Sequence, residues 1–359
     1  MKIGIFGGSF NPPHIGHVSA AKLAMEQHDL ELLIVVPTGR PPHKELPVGT
    51  PNPQMRLSMT QNAFGDCCGM RVSDIEIYSS ERNYTIDTVR ALKQEYSGDD
   101  LFILAGTDMY DSLDTWKDSD ELLKIVTPIL LPRDIIKISS SEVRDMLPNR
   151  LGREYLSDIN YSQIIKNRLY GAKPDWDWLR GKAYSMLNPE RIPHVSACQD
   201  AAIKLAEHWG ADSDDAREAA ILHDITKKLD FNENLCIIAE HGLNIAGINR
   251  YEEKLLHSIT GAAIAKSEFG VSDKVANAIT WHTTGKAGMA ILEKIIYIAD
   301  YIEATRDFPG VDDLRKIAYE DIDRAMAIGL EMTVSDLISR GIKPNKTTYE
   351  ALNDLKRSN

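Results

Sequence analysis

Two groups of residues in this chain have the types and spacing needed for chemistry. The first is the run Gly7-Gly8-Ser9-Phe10-Asn11-Pro12-Pro13-His14-Ile15-Gly16-His17. Its glycines let the backbone approach a ligand closely. A helix starting after it would present free N–H groups and a positive dipole end, which suits a phosphate. His14 and His17 are three apart and share a helix face. Two imidazoles there can donate hydrogen bonds as charge develops on phosphate oxygens. The run has neither the dinucleotide fingerprint nor the Walker spacing. Its plain alternative is a strand-to-helix turn with two exposed histidines.

A second run, Ile138-Ser139-Ser140-Ser141-Glu142-Val143-Arg144, brings hydroxyls and an arginine to another helix start. That also suits phosphates. Ser139 followed by Glu142 also fits a capping box, and both readings can hold together.

The other group is His194, His223-Asp224, His257, His282 and Asp300. Each lies in or beside an apolar helical run, where an unpaired ionisable side chain is costly. Four histidines and two aspartates converging inside a bundle remove that cost by binding metal. For any one histidine the plainer reading is an ordinary core or surface residue, and His28, His208 and His241 are read that way. His43 abuts Lys44 and is kept apart.

The elements that must position these residues change character along the chain. In the first half, strand-like and helix-like runs alternate: Lys2–Phe6, His17–Gln27, Leu32–Pro37, Thr85–Glu95, Leu101–Ala105 and Ser119–Ile125. That alternation predicts an α/β doubly wound parallel sheet with helices on both faces. Beyond Tyr170–Trp178 the apolar residues recur at three- and four-residue steps, as in amphipathic helices. Helices are expected over Val195–His208, Asp214–His223, Glu253–Phe269, Lys274–Trp281, Ala290–Glu303, Val311–Gly329 and Thr333–Ser339. An α/β domain over residues 1–172, a linker over 173–179 and an all-α domain over 180–359 follow.

Composition agrees with two domains. The chain has 359 residues, 43% of them hydrophobic and 26% charged, so it can bury real cores. Its net charge of -12 argues against a dedicated nucleic-acid binder. No run of about 18 apolar residues marks a membrane span. The start of the chain lacks the apolar stretch of a signal peptide. Cys67, Cys68, Cys198 and Cys236 have no framework or zinc spacing, so reduced thiols and a cytoplasmic location are expected.

The first half resembles the nucleotidylyltransferase superfamily, specifically the bacterial nicotinate-nucleotide adenylyltransferases, over roughly residues 1–172. The match rests on Gly7–His17, on Pro37–Lys44 followed by Arg56-Leu57-Ser58-Met59, on Glu81–Thr88, on Leu101–Trp116 and on Ile138–Arg144, in that order. The resemblance implies adenylyl transfer from ATP, with its Mg²⁺, to nicotinate mononucleotide, giving deamido-NAD and pyrophosphate. By analogy His14 and His17 contact the ATP phosphates, with Gly7, Gly8, Ser9 and Phe10 beside them. Ser139, Ser140 and Arg144 would surround the triphosphate, with Lys44 and Arg56 as further contacts. Tyr84 and Thr85 would meet the nicotinate mononucleotide, Asp108 (after Gly106) would take a ribose hydroxyl, and Trp116 would border the nicotinate. Positioning and charge stabilisation do most of the work in such transfers. Between Trp116 and Ile138 the chain is shorter than the family pattern, so a strand or helix is expected to be missing. The runner-up is a transferase of the same superfamily acting on phosphopantetheine or a cytidylyl acceptor.

The second half resembles the HD phosphohydrolases over roughly residues 178–359. Within them, LLHSITGAAIA, ITWHTTGKAGM and IIYIADYIE are similar to the symmetrical diadenosine tetraphosphate hydrolases. The resemblance implies cleavage of diadenosine tetraphosphate to two ADP at a two-metal site, iron first, with manganese and zinc as alternatives. His194, His223, Asp224 and Asp300 would hold one metal. His257 and His282 would hold the other, with Asp224 bridging. Lys227, Thr283, Thr284, Lys286 and Arg306 are candidate phosphate contacts. The other readings are a nucleotide monophosphatase, a cyclic-dinucleotide phosphodiesterase, or a metal-free nucleotide sensor. Small nucleotides are the expected partners, and a homo-oligomer stays open.

Overall fold

The computed structural model describes residues 1–42, 45–79, 81–131, 136–244 and 254–358. It divides into two compact units, Met1–Asp175 and Trp176–Asn359.

The first unit contains β1 (Lys2–Gly8), α1 (Ile15–His28), β2 (Leu32–Pro37), α2 (Pro53–Phe64), β3 (Met70–Val72), α3 (Thr85–Glu95) and β4 (Asp100–Ala105). After these come α4 (Thr107–Tyr110), α5 (Ser119–Ile125), β5 (Val126–Leu130), α6 (Ser140–Met146) and α7 (Asp158–Lys166). The strands form one five-stranded sheet in the order β3-β2-β1-β4-β5, with every pairing parallel. Alternate residues of a strand face opposite sides, and here both faces are apolar. Ile3, Ile5, Ile34 and Val36 pack with Ile86, Val89 and Leu92 of α3 and Leu122 of α5. Phe6, Leu33 and Val35 pack on the other side with Ala21 and Ala24 of α1 and Phe64 of α2. The strand order reverses between β1 and β4. Ligands bind outside the carboxyl ends of the strands at such a switch point, and Gly7, Gly8 and Gly106 lie there. In the stretch read as shortened, β5 pairs with β4 alone among the described residues; part of that stretch, 132–135, lies outside them.

The second unit is helical: α8 (Trp176–Ser185), α9 (Ile192–Trp209), α10 (Ser213–Leu222), α11 (Phe231–Glu240), α12 (Leu256–Phe269), α13 (Asp273–Trp281), α14 (Ile291–Ile302), α15 (Val311–Glu320), α16 (Ile322–Ser339) and α17 (Lys346–Ser358). Its core is built largely of small and branched residues, including Ala202, Ala219, Ala220, Ile221, Ile279, Ile295 and Ile298, each fully buried. Two expectations are corrected. Trp176–Leu179, read as linker, is the first turn of α8. The single helix expected over Val311–Gly329 breaks at Asp321, whose side chain accepts the Arg324 N–H and starts α16. No helix among the described residues is long and apolar enough to cross a membrane.

Candidate functional sites

In the first unit, the loop between β1 and α1 is held from several sides by hydrogen bonds. Arg56 donates to Ser9 O at 2.8 Å and to Gly39 O at 3.0 Å. Arg144 donates to Asn11 O at 2.6 Å and Ser140 Oγ to Pro12 O at 2.8 Å. The Asn11 side chain donates to Thr50 Oγ1 at 2.9 Å and accepts from the Tyr170 hydroxyl at 2.8 Å. Preorganisation of this kind lets a site stabilise charge without reorganising during reaction.

At the end of that loop His14 caps α1, with its backbone N–H donating to His17 Nδ1 at 3.2 Å. That contact leaves the proton of a neutral His17 on Nε2. The two rings lie 3.7 Å apart, tilted by 35°. Burial lowers the His14 pKa to about 4, against a small opposing effect of Glu142. Burial, and then the neighbouring His14, hold His17 well below its ordinary value. Both are therefore neutral donors near pH 7. His14 is 5% exposed, which removes the reading of two exposed histidines.

A cavity of about 400 Å³ opens beside this loop, lined by Gly7, Gly8 and Ser9, by Thr38, by Tyr84 and Thr85 at the start of α3, and by Trp116 and Lys117, among others. Its size fits a small nucleotide ligand. A Cβ at Gly7 or Gly106 would meet nothing within 4 Å, so the backbone there is open to close approach. Asp108 is exposed in the first turn of α4, just past the end of β4. Lys44 lies outside the described residues.

Several expected contacts have other partners. Phe10 is 1% exposed and its ring packs edge-on against Phe6, Phe64 and His17, so it supplies packing. Arg56 is fully buried, with two of its guanidinium nitrogens on loop carbonyls. Ser139 forms a capping box with Glu142. Ser140 and Arg144 serve the loop, as described. Phe10, Arg56, Ser140 and Arg144 thus brace the β1–α1 loop, while Ser139 starts α6.

In the second unit the four histidines and two aspartates come together. Asp224 is fully buried between two pairs of imidazoles. Its Oδ2 lies 3.3 Å from His223 Nε2 and 3.9 Å from His194 Nε2. Its Oδ1 lies 3.2 Å from His257 Nε2 and 3.6 Å from His282 Nε2. Asp300 Oδ1 is 3.0 Å from His194 Nε2. Ligand atoms within 4.8 Å of one another form three overlapping groups: His194, His223 and Asp224; His223, His282 and Asp300; and Asp224, His257 and His282.

The Nδ1 atoms show which nitrogen is available to a cation. Those of His223, His257 and His282 face the carbonyls of Ala220, Lys254 and Ile279 at 2.7, 2.6 and 2.7 Å. A carbonyl only accepts, so each Nδ1 carries the proton and a neutral ring keeps its lone pair on Nε2. The Nε2 atoms of His194 and His223 make no hydrogen bond. His257 Nε2 and His282 Nε2 face each other at 3.2 Å, an arrangement that two lone pairs tolerate only with a cation between or beside them. Burial opposes the charge on Asp224, but a protonated His223 beside it holds it well below the usual carboxylate range. Burial likewise opposes the charge on His223, but Asp224 in turn raises its pKa; a metal cation there takes the place of that proton. Burial lowers His282 to about 4. Ionised carboxylate and neutral imidazole are the metal-binding forms, and this donor set fits divalent metal.

Basic residues rim the cluster. Lys227 Nζ is 3.1 Å from Asp224 Oδ1 and Arg306 is 2.7 Å from Asp300 Oδ1. Arg191, which the sequence reading missed, lies 2.6 Å from Asp224 Oδ2. Its signal was its place three residues before His194. Glu303, also missed, bonds His194 Nδ1. Lys286, expected as a phosphate contact, pairs with buried Glu293 at 2.9 Å. Thr284 donates to Gly285 O at 3.0 Å and Thr283 to Ser258 Oγ at 3.3 Å.

Comparison with known proteins separates the same two regions. The cytidylyltransferase-like family model matches residues 5–146 and the HD domain model residues 191–305. The chain is 39% identical over 181 residues to the symmetrical bis(5'-nucleosyl)-tetraphosphatase of Halalkalibacterium halodurans, covering 49% of this chain and 96% of that one. It is 37% identical over 187 residues to the "Probable nicotinate-nucleotide adenylyltransferase" of Shouchella clausii, covering 47% and 97%. A Mycoplasma pneumoniae protein named "Probable nicotinate-nucleotide adenylyltransferase/Ap4A hydrolase" is 28% identical over 343 residues, covering 91% and 97%.

Proposed function

Because this chain belongs to the nicotinate-nucleotide adenylyltransferases through its first unit and to the HD-domain symmetrical bis(5'-nucleosyl)-tetraphosphatases through its second, we propose that it carries both reactions. The first unit transfers the adenylyl group of ATP to nicotinate mononucleotide, releasing pyrophosphate and deamido-NAD. The second adds water across the central phosphoanhydride of diadenosine tetraphosphate, giving two ADP.

For the transfer, the supporting observation is the pair of neutral imidazoles at the start of α1, 3.7 Å apart, just after the loop whose Gly7, Gly8 and Ser9 line the cavity. The phosphate oxygen of the acceptor attacks the α-phosphorus, so the chain needs no nucleophile of its own. His17 Nε2–H and the α1 N–H groups donate to the triphosphate, and the charge gathered there raises the affinity of both rings for protons. Trp116 and Tyr84 line the cavity where a pyridine ring would pack, with Lys117 Nζ 4.3 Å from the Tyr84 ring centre, and the start of α3 suits its carboxylate. Mg²⁺ comes with ATP.

For the hydrolysis, the supporting observation is Asp224 with one oxygen toward each imidazole pair. His194, His223, Asp224 and Asp300 would hold one metal, and Asp224, His257 and His282 the other. Such a metal pair supplies a hydroxide at neutral pH and neutralises charge on the phosphates. Imidazole and carboxylate donors suit iron, with manganese and zinc as alternatives. Arg191, Lys227 and Arg306 place cations at the rim, where they can take phosphate oxygens.

The test is a panel of acceptors and substrates. ATP with nicotinate mononucleotide is expected to give deamido-NAD, and phosphopantetheine no product. Diadenosine tetraphosphate is expected to give ADP alone; AMP plus ATP would refute symmetrical cleavage.

A further inference from the structure

His194 differs from the other three imidazoles in what holds its Nδ1. Each of the others donates to the carbonyl three residues back in its own chain. His194 Nδ1 meets the Glu303 carboxylate at 3.0 Å. Glu303 is 1% exposed and is held firmly. Its Oε2 accepts the Thr305 N–H at 2.6 Å and its Oε1 the Thr305 hydroxyl at 2.6 Å. Arg306 Nε lies 3.5 Å from Oε1. Glu303 follows Asp300 by one helical turn, so two carboxylates from the end of α14 meet the two nitrogens of one ring.

We infer that Glu303 is a positioning residue that makes the metal position at His194 the tighter of two unequal positions. The inference rests on the two-metal reading above. A carboxylate accepting the Nδ1 proton fixes the ring and raises the donor strength of Nε2, which a neutral carbonyl does far less. The same side of the cluster also holds Asp300 and Asp224 Oδ2. The other side has two carbonyl-bound imidazoles sharing Asp224 Oδ1. The larger number of carboxylate oxygens and the stronger Nε2 donor therefore favour the His194 side, against the Arg191 and Arg306 guanidiniums that lie on Asp224 Oδ2 and Asp300 Oδ1.

Glu303→Gln is the discriminating change. One amide oxygen cannot reproduce both carboxylate oxygens, and the amide nitrogen meets either the Thr305 N–H or the His194 Nδ1–H, donor against donor. The full-length chain is stripped of metal and titrated with Co²⁺ against a competing chelator, following the visible absorption bands. Wild type is expected to show a tight and a weaker class of site. In Glu303→Gln the tight class weakens by about 10–100-fold and its bands shift, while the weaker class moves less than about threefold. Glu303→Ala should weaken the tight class at least as much. If that variant fails to fold, the isosteric Gln carries the result, with an unchanged urea midpoint of the metal-free chain as its control. An unaltered tight class in Glu303→Gln, or equal weakening of both classes, overturns the inference. Wild-type chain that binds no Co²⁺ refutes the two-metal reading itself, and the inference with it.

Discussion

Replacing His14 by Gln should make the first unit less sensitive to acid. Burial lowers the His14 pKa from 6.5 to about 4, so the unfolded chain takes up a proton before the folded chain does. The folded pKa is depressed. His14 therefore costs nothing above about pH 6.5, and the cost grows as pH falls toward 4. One pKa unit corresponds to about 1.4 kcal/mol. The whole window is worth about 3 kcal/mol, of which about 2 kcal/mol is reached by pH 5. Glutamine does not titrate, so the variant escapes this term. Hydrogen exchange of the β1 and β4 amides reports opening of the first unit, and comparing variant with wild type at one pH cancels intrinsic exchange. Between pH 7 and pH 5 the stability difference should move by about 2 kcal/mol in favour of His14→Gln. A change below about 0.5 kcal/mol would refute the account of His14 as a neutral group held by burial.

His17→Ala removes the Nε2–H donor and should lower adenylyl transfer about 10²–10³-fold, measured as pyrophosphate release, with hydrolysis unchanged. Asp224→Ala should abolish hydrolysis and bound metal together, because both imidazole pairs lose their shared carboxylate; elemental analysis that still finds metal would remove Asp224 from the ligands. Arg56→Lys keeps the charge but not the fork joining Ser9 O and Gly39 O, so it should cost about 1.5–3 kcal/mol of first-unit stability by the same exchange measurement, and slow the transfer.

Much of this architecture is local in origin and therefore legible in the sequence. The apolar runs at Leu32–Pro37 and Thr85–Glu95 coincide with β2 and α3, because buried parallel strands and one-sided helices leave strong periodic patterns. The His and Asp cluster could be read because ionisable residues inside apolar helices require a partner. What was missed depends on long-range or unpatterned features. Arg56 is legible as a site residue but its acceptors, 47 and 17 residues away, are not, and Glu303 meets His194 across 109. β3 has three residues, too few to show a period. The break between α15 and α16 lies in an apolar pattern that continues through Ile317, Ala318, Ile322 and Ala325. One capping aspartate decides it.

The central claim is that one chain performs two nucleotide reactions at separate sites. The most direct measurement is phosphorus NMR of the single purified full-length chain, metal-loaded, supplied with ATP, Mg²⁺, nicotinate mononucleotide and diadenosine tetraphosphate. The account predicts deamido-NAD and pyrophosphate growing together, with two ADP for each diadenosine tetraphosphate lost. The absence of either product set, or cleavage of diadenosine tetraphosphate to AMP and ATP, would contradict it.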